Sequence, residues 1–137
     1  MELPKRARTV NWESGVLTLD GEKQFEVPEL TAEIMEQLAA YTLVGFHVKG
    51  YPVNDKLLAP FAGHKSMVNF GVEDGALTDA CFAVFSAMPK LRYLLLDGNA
   101  AIHGSGLSAL QGCKLDLITL NRTGLDDAGL LQAASIP

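Results

Sequence analysis

The sequence predicts an α/β fold, a solenoid of four stacked strand–helix units behind a dissimilar N-terminal cap. Three observations carry this expectation. An apolar position recurs every 24 residues, at Leu43, Met67, Leu91 and Leu115. Each is followed by an alternating apolar pair, Phe46/Val48, Phe70/Val72, Leu94/Leu96 and Ile118/Leu120, which is the period of a strand with one buried face. A second apolar group follows about ten residues later, at Leu58/Phe61, Phe82/Phe85, Leu107/Leu110 and Leu130/Leu131. Periods of this length mark supersecondary units that bury their apolar faces only against one another.

Residues 1–41 do not fit the period and are assigned to the cap. Val16–Leu19 and Lys23–Val27 flank Asp20-Gly21, a hairpin signal. Glu29–Ala40 reads as an amphipathic helix with Thr31 near its start and Ile34 and Leu38 inward, and Trp12 is expected to pack within the cap. A solenoid end needs such a cover, because its last apolar face has no neighbour.

The four units span residues 42–65, 66–89, 90–113 and 114–137, in one continuous domain. The first is degenerate, with Tyr51 in a slot that holds Asn99 and Thr123 further on, and with Pro60 interrupting its helical segment. The third carries one extra residue before Ile102. Asn54, Thr78 and Asp126 share a column just before the helical segments, where a side-chain oxygen accepts from an exposed helix N–H. Asp55, Asp79 and Asp127 follow them and suit the positive helix end. Gly104, Gly106, Gly124 and Gly129 are expected to permit the tight strand-to-helix turns.

Residues 91–99 read L-R-Y-L-L-L-D-G-N, placing Leu91, Leu94, Leu96 and Asn99 in an L-x-x-L-x-L-x-x-N pattern. The phrases LTDACF at 77–82, IHGSGL at 102–107 and LDDAGL at 125–130 are variants of one another. Over residues 42–137 the chain resembles the leucine-rich repeat family, in its short 24-residue bacterial and cysteine-containing subclass. The resemblance implies a right-handed solenoid with parallel strands on a concave face and short helices on a convex one.

Composition excludes several classes. At 48% hydrophobic residues and a mean hydropathy of +0.16 the chain is not disordered, and no apolar run reaches a membrane span. Met1–Arg8 is charged with no apolar segment behind it, so a cytoplasmic protein is expected, with Cys81 and Cys113 as buried reduced thiols. A net charge of −5 and a pI near 5.1 argue against nucleic acid. The basic cluster Lys5, Arg6 and Arg8 reads as a solvated tail.

No constellation points to a reaction, a metal or a cofactor. His47, His64 and His103 fall in three different columns with no ligand spacing between them. Gly104-Ser105-Gly106 lacks the flanks of a nucleophile elbow, and Asn99 is expected to satisfy backbone groups in its turn.

The outward strand face remains. Its columns are Gly45, Asn69, Tyr93, Leu117; His47, Gly71, Leu95, Thr119; and Lys49, Glu73, Asp97, Asn121. Tyr93, Leu95 and Leu117 would form an apolar centre rimmed by Glu73, Asp97 and Asn121, as interfaces are usually composed. The expected function is a non-catalytic protein-interaction module whose protein partner meets His47, Lys49, Asn69 and Thr119 around that centre. The alternatives are an inhibitor or immunity-type protein blocking a basic partner, and an accessory domain of a larger enzyme. Pro137 occupies the column of Pro89, so the open last unit is expected to be covered by a second copy, giving a homodimer, or by further residues.

Overall fold

The computed structural model describes residues 3–126 as an α/β fold. Seven strands form one sheet: β1 Thr9–Glu13, β2 Val16–Leu19, β3 Lys23–Glu26, β4 Gly45–Lys49, β5 Asn69–Glu73, β6 Tyr93–Leu95 and β7 Leu117–Thr119. Their order is β3-β2-β1-β4-β5-β6-β7. β4 to β7 pair in parallel, and each partner stands 24 residues further along: Phe46 beside Phe70, Phe70 beside Leu94, Leu94 beside Ile118.

The expected hairpin is present as β2 and β3, antiparallel with Val16 beside Glu26 and Leu19 beside Lys23. β1 was not anticipated. It pairs antiparallel with β2 and parallel with β4, so the N-terminal strands extend the same sheet. Alternation made β1 readable, since Val10 and Trp12 are buried while Thr9, Asn11 and Glu13 are exposed. Trp12 packs as expected, its Nε1 donating to the Val27 carbonyl at 2.7 Å and its ring meeting Tyr51 edge-on.

Helix α1 spans Ala32–Ala39, shorter than the Glu29–Ala40 pattern, and Thr31 caps it by accepting from the Ile34 N–H. Met35 and Leu38 are its buried positions, whereas Ile34 is only half-buried. Leu38 is thus inward as expected, while Met35 takes the second buried position in place of Ile34. The later crossovers hold little regular helix. α2 (Asp55–Leu58) runs into a 3₁₀ turn at Ala59–Phe61, with Pro60 tolerated at the turn's start. A 3₁₀ turn at Asp79–Cys81 leads into α3 (Phe82–Ser86), and Leu107–Gly112 is 3₁₀ throughout.

All these segments share one apolar cluster with a single face of the sheet. Phenylalanines run through its middle: Phe46 stacks on Phe70 at 4.8 Å, Phe61 touches both, and Phe85 meets Phe70 at 5.2 Å. Such pairs add to plain area burial. The other face of the sheet carries none of the cluster's fully buried side chains.

The turns behind the strands share a backbone signature. Ser14, Gly50, Asp74, Gly98 and Arg122, which follow β1, β4, β5, β6 and β7, all have positive φ, between 52° and 83°. Asn99 lies behind the fourth of these turns, fully buried. Its Oδ1 accepts from the Leu77 N–H, and its Nδ2 donates to the Val72 and Leu96 carbonyls at 2.7 and 2.9 Å. The expected structural role is therefore met in full, and Gly75 makes room for it: a Cβ there would lie 2.9 Å from the Asn99 oxygen.

Asn54 and Thr78 act as anticipated, accepting from Leu57 and Ala80 N–H groups. Asp55 and Asp79 reach further than the helix start beside them. Asp55 accepts from the Thr78 N–H and hydroxyl, and Asp79 accepts from the N–H groups of His103 and Gly104. These carboxylates tie one crossover to the next. Gly104 has a positive φ, while Gly106 and Gly124 admit backbone oxygens that a Cβ would meet at 2.8 and 2.5 Å. The readings made for Asp127, Gly129, Leu130, Leu131 and Pro137 lie outside the described residues, as does the segment behind Asp126.

Candidate interaction surface

The predicted surface residues within the strands fall on the open face of the sheet, where the register arranges them in rows, and Asp97 and Asn121 lie in the turns just beyond. The first row runs Thr9, Gly45, Asn69, Tyr93, Leu117, and the second runs Asn11, His47, Gly71, Leu95, Thr119. The third runs Glu13, Lys49, Glu73 and is continued past the paired strands by Asp97 and Asn121. Neighbours within a row are ~4.8 Å apart.

Tyr93 and Leu117 are the exposed large apolar side chains among the described residues, at 37% and 48%, and they stand side by side. Leu95 is half-buried next to them. The polar row is less available than its composition suggests. Asp97 accepts from the Asn121 N–H at 2.7 Å, so this carboxylate is largely used in joining two turns. The Thr119 hydroxyl is shielded from solvent and has no hydrogen-bond partner among the described residues.

His47 is the most constrained member. Gly71 leaves bare backbone beside it, and a Cβ there would lie 2.5 Å from His47 Cδ2. The ring occupies that space, with Nδ1 3.2 Å from Asn11 Oδ1 and Nε2 3.1 Å from Glu73 Oε2. A charged imidazolium donates to both oxygens. A neutral ring donates through Nε2 to Glu73 and requires the Asn11 amide turned to donate to Nδ1. One chain of contacts thereby crosses β1, β4 and β5.

Beside this chain lies a shallow depression of about 360 Å³ with Thr9, Gly45, His47, Asn69 and Leu95 around it. Gly45 offers no side chain to fill it. Thr9, Asn11 and Glu13 belong to this face and were missed in the sequence, because β1 was not recognised as a strand. His64 and His103 are elsewhere, bonded to the backbone carbonyls of Tyr41 and Gly124.

Among the described residues no helix is long and apolar enough to cross a membrane. Comparisons with protein-family models, curated proteins and solved structures return no match for this chain.

Proposed function

We propose that the chain is a leucine-rich repeat solenoid that serves as a non-catalytic protein-interaction module, recognising its partner with the open strand face. The 24-residue register, the recurring positive-φ turn and the Asn99 bonds support the solenoid reading. The observation that carries the function is the adjacent pair Tyr93 and Leu117. An aromatic and an aliphatic side chain exposed together, on the one sheet face with no fully buried cluster, have the composition of an interface centre.

The test is affinity capture with the folded protein and with Tyr93→Ala and Leu117→Asp variants. Both side chains project from the core, so both variants should keep the wild-type circular dichroism and thermal midpoint. A partner captured by the wild type should be lost, with binding weakened by about 2 kcal/mol or more if Tyr93 is an anchor. A partner retained at equal affinity by both variants would place recognition elsewhere.

A further inference from the structure

The net charge of −5 conceals a basic edge. Seven of the eleven lysines and arginines precede the strands of the parallel array: Lys5, Arg6 and Arg8 before β1, Lys65 before β5, Lys90 and Arg92 before β6, and Lys114 before β7. The register brings these positions to one end of the sheet. Arg6 aligns with Thr42, Ser66, Lys90 and Lys114 when the pairing is carried back along the strands.

The N-terminal cations are not on a solvated tail, as the sequence had suggested. Ala7 is buried, the Arg8 carbonyl accepts from the Val44 and Gly45 N–H groups, and the Tyr41 hydroxyl donates to the Pro4 carbonyl at 2.6 Å. The backbone that carries these exposed cations is therefore held against the sheet. Two hollows open along this edge. One of about 500 Å³ is lined by Lys5, Arg6, Arg8 and Val44, and one of about 560 Å³ by Lys90, Arg92, Lys114, Val68 and Leu91.

The carboxylates within this edge are engaged. Asp116 pairs with Arg92, and Asp20 accepts from the Arg8 and Thr9 N–H groups. Lys5, Arg6, Lys65, Lys90 and Lys114 make no ion pair among the described residues. Uncompensated positive charge next to aliphatic walls selects a ligand with both characters. Nucleic acid fits less well: a phosphate chain longer than the edge meets an acidic protein, and the aromatic ring here, Tyr41, is half-buried with its hydroxyl committed.

We infer that the strand-start edge binds an extended acidic polypeptide segment in which carboxylates alternate with small apolar residues. The site is separate from the open face proposed above. From β1 to β7 the edge measures ~19 Å, so roughly six extended residues at ~3.3 Å each would cover it.

The test is fluorescence anisotropy of the whole protein with a labelled peptide of alternating glutamate and valine, about eight residues long to overhang the edge. A matched oligothymidylate is the second probe. The peptide should bind at low salt, lose affinity as salt rises, and bind about tenfold more weakly to both K90E/K114E and R6E. Tyr93→Ala should bind it like the wild type. The inference is overturned by absence of peptide binding, by affinity kept within about threefold in either charge-reversed variant, or by tighter binding of oligothymidylate. The last result would reassign the edge to nucleic acid.

Discussion

At the scale of single residues, turn geometry separates glycines that look equivalent in the sequence. Gly50 and Gly98 both have φ above +80°. Around Gly50 a Cβ would meet nothing within 4 Å, but at Gly98 it would fall 2.8 Å from the Asp74 backbone nitrogen. Gly50→Ala should therefore cost only the left-handed strain, about 1 kcal/mol, whereas Gly98→Ala adds a backbone collision and should exceed about 2 kcal/mol. Urea unfolding of the two variants measures the difference directly, and equal losses would refute the crowding at Gly98. Asn99→Ala should be worse than either, at about 3 kcal/mol or more, because it strands one buried N–H and two buried carbonyls. Cys81 gives a check on burial: desolvation and the Asp55 and Asp79 carboxylates raise its thiol pKa well above the ordinary value. Half-buried Cys113 should react with a thiol reagent at pH 8 in the native state, and Cys81 only after denaturant is added.

At the scale of elements, the strands other than β1 were legible and the helices much less so. Phe46, Phe70, Leu94 and Ile118 gave strand centres that the pairing reproduces, because a period of two is a strong local signal. Among the described residues, only α1 is an α-helix longer than five residues. Between β5 and β6 the chain must leave the sheet, cover it and return within 19 residues, which leaves room for a 3₁₀ turn and five residues of α3. The links made by Asp55 and Asp79 were illegible for a different reason. Their partners lie 23 to 25 residues away, where local capping rules do not look. The open-face candidates were readable from alternation, yet the role of Gly71 beneath His47 needs the register between two strands. Asp20 joins the hairpin turn to β1 through the Arg8 and Thr9 N–H groups, which hold its carboxyl below the usual carboxylate range. A depressed carboxylate pKa contributes stability that is present above the unfolded value and lost as pH falls through the folded one. Urea midpoints should thus decline below pH ~4 in the wild type, and Asp20→Asn should show a smaller decline over that window. An identical acid response in the variant would remove Asp20 from the account.

For the whole molecule, the two edges of the sheet differ. β3 ends it with the exposed charges Lys23 and Glu26, which discourage further pairing. Among the described residues β7 is last on the other side, three residues long, and its apolar neighbours Leu115, Ile118 and Leu120 are only partly buried, unlike Leu91, Leu94 and Leu96. If a second copy docks there, as the homodimer expectation requires, light scattering should give a mass that doubles with concentration; a constant monomer mass across the range would dismiss that expectation. The turn shared by residues 50, 74, 98 and 122 has a consequence for how such a chain can grow. Each junction offers its successor a strand edge, a left-handed corner and, at Asp55 and Asp79, a waiting carboxylate, all at a spacing of about 24 residues. Chain length is thereby quantised. Tandem duplication of residues 66–89 would set Phe70 beside its own copy and leave both flanking seams chemically intact, whereas an insertion of half that length would misalign every seam downstream. Gain or loss in whole quanta is the route by which a strand face of this construction can be lengthened without being redesigned.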